Sequence, residues 1–203
     1  MRIGLIGDVH QEDLALGWAL AWLSDQEVDL CVCVGDIADG FGDLDACCEL
    51  LDSHGVITVR GNHDRWFLAQ QMRDVPQATP LQAASEENRE WLRQLPATVS
   101  IDTPAGRALV CHGTADDDML GVRPDDEGYA LDANESLQRL IRAGEHRILI
   151  AGHTHLPMLR RVSELTVVNA GTLHRNYDPC VGLLDTTTLT ERFVRIPAVP
   201  PSS

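Results

Sequence analysis

Ile148-Leu149-Ile150-Ala151-Gly152-His153-Thr154-His155 sets four apolar residues directly before a glycine and two histidines one residue apart. A short apolar run ended by a glycine reads as a strand buried on both faces. Two histidines separated by one residue in an extended segment can point to one side, which suits metal ligation. The arrangement recurs along the chain. Ile3 to Ile6 leads into Gly7-Asp8-Val9-His10, Val28 to Val34 into Gly35-Asp36-Ile37-Ala38-Asp39, and Val56 to Val59 into Gly61-Asn62-His63-Asp64. Ala108 to Cys111 leads into His112-Gly113. Any one of these is compatible with an ordinary polar turn. Five in order, each closing an apolar run, point to one shared site. In layered α/β folds such sites gather beyond the C-terminal ends of the strands.

Helical patterns lie between the runs. Leu16, Leu20 and Leu23 form one stripe, and Leu44 to Leu51 is a second helix. Ser85 with Glu86 and Glu87 reads as a capped helix start; Trp91, Leu92 and Leu95 give it an apolar face, and Pro96 stops it. A helix over Leu137 to Ile141 ends at Gly144. Further strands are expected at Thr166 to Val168, Val181 to Leu184 and Arg192 to Ile196. Strands and helices alternate first and strands then dominate, which predicts an α/β layered α-β-β-α sandwich with mixed sheets. The expected organisation is one domain over 1–196, with a helical excursion at 65–97 over one edge and a disordered tail at 197–203. Arg65, Trp66, Phe67 and Arg73 of that excursion could roof a site, with packing preferred for Trp66 and Phe67.

The 203 residues carry 31 acidic and 16 basic side chains, a net charge of −15. That balance argues against non-specific nucleic-acid binding, which needs a basic surface. No apolar run approaches the roughly 20 residues of a membrane helix, and the N-terminus is too short and too glycine-punctuated for a signal peptide, so a cytoplasmic location is expected. The six cysteines form no C-x-x-C pair and sit in apolar or helical patterns; they read as reduced, mostly buried residues.

The five clusters resemble those of the calcineurin-like metallophosphoesterases: D-x-H, G-D-x-x-D, G-N-H-D, H-G and G-H-x-H, spanning residues 8–155. Val168-Asn169-Ala170-Gly171-Thr172 is similar to a strand end of the small bacterial phosphodiesterase branch, with Ala170 in place of proline. The resemblance implies two divalent metal ions per chain, Mn favoured with Fe, Zn, Ni and Mg as alternatives. It implies Asp8, His10 and His155 around one ion, Asn62, His112 and His153 around the other, and Asp36 bridging both. It also implies that His63 acts on the leaving group with Asp39 orienting it. Mixed oxygen and imidazole donors suit such ions and not calcium. Two divalent ions would keep the site positive after Asp8, Asp36 and a hydroxide are counted, although the chain is acidic.

The implied activity is phosphate-ester hydrolysis by a hydroxide held between the metals, with a small-molecule or nucleotide diester as the expected substrate. The phosphoprotein phosphatases of the superfamily carry Arg after the second Asp of G-D-x-x-D; here Gly40 stands there, which favours a diesterase. The alternatives are a phosphomonoesterase, a symmetric dinucleoside polyphosphate hydrolase, and a non-catalytic metal-binding scaffold. Arg60, Asn169, His174 and Arg175 are candidates for contact with substrate. His54, His146, Asp116 to Asp118 and Asp125 to Glu127 read as caps or solvated loop residues.

Overall fold

The computed structural model describes residues 1–197, so the expected tail at 197–203 lies, apart from Pro197, outside the described residues. Strands β1 (Arg2–Ile6), β2 (Leu30–Cys33) and β3 (Ile57–Thr58) run parallel, β9 (Cys180–Asp185) pairs antiparallel with β1, and β10 (Thr190–Arg195) pairs antiparallel with β9, in the order β10-β9-β1-β2-β3. The second sheet comprises β4 (Thr98–Thr103), β5 (Gly106–Cys111), β6 (Ile148–Ala151), β7 (Met158–Val162) and β8 (Leu165–Asn169), in the order β4-β5-β6-β8-β7. Its three central strands are parallel and its two edges antiparallel.

Strand side chains alternate between two faces, and here both faces are covered. Ile3, Leu5, Val32 and Val34 of one sheet meet Val110, Ile148, Ile150 and Val168 of the other in a core between the sheets. On the outer face of the first sheet, Ile6 and Cys33 pack against Leu16, Leu20 and Leu23 of α1 (Asp13–Ser24) and Cys47, Cys48 and Leu51 of α2 (Leu44–Ser53). On the outer face of the second, Leu109, Leu149 and Val167 pack against Leu137 and Leu140 of α6 (Glu135–Ala143). The molecule is therefore the expected α-β-β-α sandwich, and double coverage explains why its central strands are apolar without interruption.

Caps fall where local chemistry calls for them. Asp43 accepts the Ala46 N–H at the start of α2, Ser85 accepts the Asn88 N–H at the start of α4 (Glu86–Gln94), and α6 ends on Gly144 at φ +64°. His54 caps the end of α2, its Nδ1 donating to the Leu50 carbonyl at 2.8 Å. All six cysteines are free thiols, buried except for the half-buried Cys31. No helix of the described residues is long and apolar enough to cross a membrane.

Two strands and two helices go beyond the sequence expectation. β4 and β7 are edge strands and are only partly covered: β4 exposes Ser100 and Asp102 on one face, and β7 carries Arg160 half-buried on one face and Arg161 exposed on the other. Helix α3 (Asn62–Ala69) starts inside the Gly-Asn-His-Asp turn, so its first residues are polar site residues and hide the helical period. α5 (Tyr129–Asp132) is a single turn. The excursion at 65–97 consists of α3, a 3-10 turn at Leu81–Ala83 and α4, and it carries the chain from β3 at the edge of one sheet to β4 at the edge of the other.

Phe67, with no exposed surface, anchors α3 in the core that also holds Ala84 and Leu92. Phe67→Ala is expected to lower stability by about 3–5 kcal/mol, read from the midpoint of denaturant unfolding.

Candidate active site

The loops after β1, β2, β3, β5 and β6 all leave the C-terminal ends of parallel strands, and the sandwich brings them to one place. Asp8 and His10 come from the first, Asp36 and Asp39 from the second, Asn62 and His63 from the third, His112 from the fourth, and His153 and His155 from the fifth. A further loop joins them: beyond β8, Asp8 N–H donates to the Gly171 carbonyl and Leu173 N–H to the Asp8 carbonyl, which stitches the two sheets together and delivers His174.

Two fully buried carboxylates stand at the centre. Asp8 Oδ1 accepts the His153 N–H at 3.2 Å, and Asp36 Oδ1 accepts the His63 N–H at 2.8 Å. Each leaves its Oδ2 facing inward. Asp8 Oδ2 accepts no hydrogen bond although it is buried, and His155 Nε2 lies 3.1 Å away. Asp36 Oδ2 lies 3.2 Å from His112 Nε2 and 3.9 Å from His10 Nε2. Donor atoms of Asp8, Asp36 and His112 all fall within 4.8 Å of one another.

The imidazoles are oriented from behind. His10 Nδ1 donates to the Asp39 carbonyl and His112 Nδ1 to the Val34 carbonyl, each at 2.8 Å. In the neutral rings this leaves Nε2 with a bare lone pair pointing into the site, the arrangement that metal-ligating histidines use. His10 Nε2 then faces His155 Nε2 at 3.2 Å, and Asn62 Oδ1 faces His112 Nε2 at 2.9 Å and His153 Nδ1 at 3.1 Å. With a bare lone pair on each facing atom such pairs repel, unless His155 or His153 carries its proton on the facing nitrogen. A cation among them satisfies every one, whereas the protein alone would need protons or a turned Asn62 amide.

The ionisation pattern follows. Burial, with Asp36 adding to it against the pull of His112, pushes the Asp8 carboxyl up to about 7. Burial opposes the charged form of His112, but Asp36 and Asp8 overcome it and raise the ring to about 10. Burial also raises the Asp36 carboxyl, yet the His112 ring outweighs it and holds the group below its ordinary range. His10 and His155, with less carboxylate compensation, are driven down by burial to about 4 and about 3. Without a cation the cluster takes a proton on His112 in its place.

The backbone is strained where it serves the site. His10, Asp36, Asp39, His153 and His155 all have φ between 46° and 66°, a left-handed region that costs such residues about 1 kcal/mol or more each. Gly152 must lack a side chain, because a Cβ there would collide with Asp8 Oδ1.

His63 is the half-exposed member. Its Nδ1 donates to Asp39 Oδ2 at 2.8 Å, leaving Nε2 for the open side, and its ring stands 5.0 Å from that of His10 and 4.8 Å from that of Trp66. Burial lowers its pKa, but the Asp39 hydrogen bond and the Asp36 charge prevail and raise it. Asp39 is itself held by Arg73 through two bonds of 2.9 and 3.0 Å and by the Thr79 N–H at 2.8 Å. Arg73 therefore roofs the site by gripping Asp39, a partnership 34 residues apart with no local sequence signal. Asp64 closes the Gly-Asn-His-Asp motif but has no role assigned from the sequence: its carboxylate accepts the N–H groups of Ile37, Ala38 and Gly61 and locks the loop after β2 to the start of α3.

The candidate substrate residues separate. His174 packs against His10 at 5.1 Å and His155 at 6.2 Å. Arg60 lines a cavity of about 300 Å3 beside His112, together with Arg65 and Asp116 to Asp118. Asn169 is not brought to the open side; its amide donates to Gly152 O and Thr154 Oγ1 and its oxygen accepts the Gly171 N–H, so it braces the loop that carries His153. Arg175 is bound along its length by the buried Glu12 carboxylate at 2.8–3.0 Å. The acidic loop is less free than expected: Asp118 pairs with Arg65 and Asp116 with Arg139. His146 is half-buried, its Nε2 2.9 Å from Ser100 Oγ.

A model of the calcineurin-like phosphoesterase superfamily domain matches residues 1–189. The chain belongs to that superfamily. No curated protein matches it in sequence. Among solved structures, the chain is similar to a metallophosphoesterase from Sphaerobacter thermophilus, with 23% identity, a TM-score of 0.71, and 97% of this chain and 88% of that one covered. It is also similar to the phosphoesterase Yfce from E. coli (18% identity, TM-score 0.56, 97% and 100% covered) and to an archaeal phosphodiesterase (17%, 0.59, 96% and 99%). At these identities the likeness concerns the fold. Membership implies a hydrolase, members typically bind divalent metals, and the convergent donors of Asp8, Asp36 and His112 form a candidate group for that purpose.

Arg73→Ala leaves the buried Asp39 carboxylate without its cation. The expected cost is about 1.5–3 kcal/mol of stability, measured by thermal or denaturant unfolding, with Arg73→Lys recovering only part because it cannot form the paired bonds.

Proposed function

We propose that the protein is a phosphodiesterase dependent on two divalent ions. Asp8, His10 and His155 would hold one ion and Asn62, His112 and His153 the other, with Asp36 shared. Such a pair supplies an activated water and a clamp on phosphate oxygens. The chain supplies the rest. His63, its Nδ1 proton committed to Asp39, presents Nε2 to the leaving oxygen and delivers a proton there as the ester bond breaks. Arg73 and Thr79 hold Asp39 in place, and Trp66 limits how far the His63 ring can turn.

One observation carries the preference for diesters: the guanidiniums around the site are already committed to carboxylates. Arg73 pairs with Asp39, Arg175 with Glu12 and Arg65 with Asp118. Gly40 admits no side chain at all, since a Cβ would collide with the His10 carbonyl oxygen. Arg60, on the His112 side, meets only the Arg93 carbonyl at 3.4 Å. A dianionic monoester would need more free cation than this, whereas the single charge of a diester can be met by the metals and His63. The acidic chain as a whole also repels the more highly charged substrate more strongly.

With added Mn the protein is expected to hydrolyse bis-p-nitrophenyl phosphate faster than p-nitrophenyl phosphate. An Asp36→Ala protein working at the wild-type rate would sink the two-metal mechanism. His63→Asn is expected to keep metal binding and lose about 10²–10⁴-fold in kcat, with a larger loss for alkyl than for p-nitrophenyl leaving groups; equal losses would remove the general-acid role. Metal uptake should also release protons. The raised His112 pKa keeps its proton on at pH 7 in the metal-free protein, and ligation must expel it. Apparent metal affinity should therefore fall as pH is lowered, and calorimetry in buffers of different ionisation enthalpy should count the protons.

A further inference from the structure

On the side of His10 and His155 the site opens onto aromatic rings that the chemistry above does not use. Phe41 is 41% exposed and Tyr177 is 55% exposed. Both meet the buried ring of His174 edge-on, at 5.6 and 5.1 Å between centroids, and Tyr177 also packs on His155 at 4.4 Å. Large exposed aromatics that touch the donor imidazole of His155, as Tyr177 does, or its neighbour His174, as both do, call for an explanation, because a monomer gains nothing from wetting them.

These rings are also held in place. The Arg175 guanidinium lies 5.0 Å from the centre of the Phe41 ring and is fixed there by the buried Glu12 carboxylate. Tyr177 is set by a tight turn in which its N–H donates to the His174 carbonyl at 3.0 Å and the Asn176 N–H donates to His174 Nδ1 at 3.1 Å. Beyond Tyr177 the surface falls into a cavity of about 640 Å3, whose walls include Leu173, Asn176, Pro179 and Ile196. The opposite side of the site differs in kind: its cavity of about 300 Å3 is walled by Arg60, Arg65 and the Asp116 to Asp118 loop.

The geometry points to a nucleoside-binding subsite formed by Tyr177 and Phe41 on the His174 side. It rests on the phosphodiesterase reading. A diester phosphate seated between Asp8, Asp36 and His63 projects its two ester arms to the two sides. The arm over His155 meets fixed aromatic rings, then a half-apolar cavity with the polar groups of Tyr177, Asn176 and Arg175 on its rim. A flat heterocycle with hydrogen-bonding edges matches both features. Stacking on such rings tolerates any base, because every base has a π-face. The subsite therefore selects nucleosides as a class and not one base.

The test compares two singly charged diesters with the same leaving group, thymidine 5′-(p-nitrophenyl phosphate) and methyl p-nitrophenyl phosphate, in Mn-loaded protein. The nucleoside ester should have a kcat/KM about tenfold or more higher, mostly through KM. Tyr177→Ala and Phe41→Ala should each lower that ratio several-fold, and Tyr177→Phe should retain it, because the ring and not the hydroxyl makes the surface. Thymidine 5′-phosphate should compete better than methyl phosphate for the wild type, with the advantage reduced in both alanine variants. A wild-type ratio near one while both esters are hydrolysed would overturn the subsite and leave the phosphodiesterase reading standing. Equal losses on both esters in the variants would also overturn it. Hydrolysis of neither ester would overturn the reading on which it rests, and the subsite with it.

Discussion

Two carboxylates, Asp8 and Asp36, are buried side by side, each tethered by one oxygen to a backbone N–H and each left with the other oxygen turned inward. Burying like charges this way is costly unless something positive lies between them. The surrounding architecture answers that demand. Five loops converge there, His10 and His112 are each braced by a backbone carbonyl, and the sequence keeps glycines where another loop must pass. In the metal-free chain His112 supplies the positive charge by keeping a proton; a metal-loaded chain would exchange that proton for cations. Stability and metal affinity are thus linked at one point, and both draw on the same ionisable groups.

The left-handed backbone at His10, Asp36, Asp39, His153 and His155 shows how the fold sustains the arrangement. Each such residue would relax in a free loop. They persist because the segments on either side are immobilised: strands buried between layers before each loop, and helices such as α1 and α2 or the Asp64 clamp after it. The stability of the sandwich core is what holds the strained loops, which is why a core residue such as Phe67 bears on the geometry of Asn62 and His63 through one short helix.

Most of the architecture was legible because burial on two faces writes an unbroken apolar run, and five of these runs were followed within two residues by a glycine set among polar donors. β1, β5, β6 and β8 were readable for that reason. β4 and β7 were not, since an edge strand interrupted by charged residues, such as Arg160 and Arg161 on the two faces of β7, carries no such signature. Helix α3 was hidden because its first turn is written in site residues. The same limit applies within the site. Asp8, His10, Asn62 and His153 stand in recurrent local patterns, but the grip of Arg73 on Asp39 joins residues 34 apart and the pairing of Arg175 with Glu12 joins residues 163 apart. Sequence spacing records what one loop contributes; it does not record which side chain from another loop has already claimed a charge.

That last point decides the character of the open face. An arginine count near the site would suggest a strong anion trap, and Arg73, Arg175 and Arg65 all lie close enough to be included. Once their carboxylate partners are located, little free positive charge is left, and the chain around the site stays acidic. On the proposed phosphodiesterase reading, affinity for substrate would come from the metals at the phosphate and from uncharged contact beyond it. The exposed rings of Phe41 and Tyr177 are uncharged surfaces that touch His174, and Tyr177 also touches His155. Arg175 contributes to that surface by stacking over Phe41, and Glu12 holds it there while cancelling its charge. Arg175, a candidate phosphate contact in the sequence, is in the fold paired with Glu12 and stacked over Phe41.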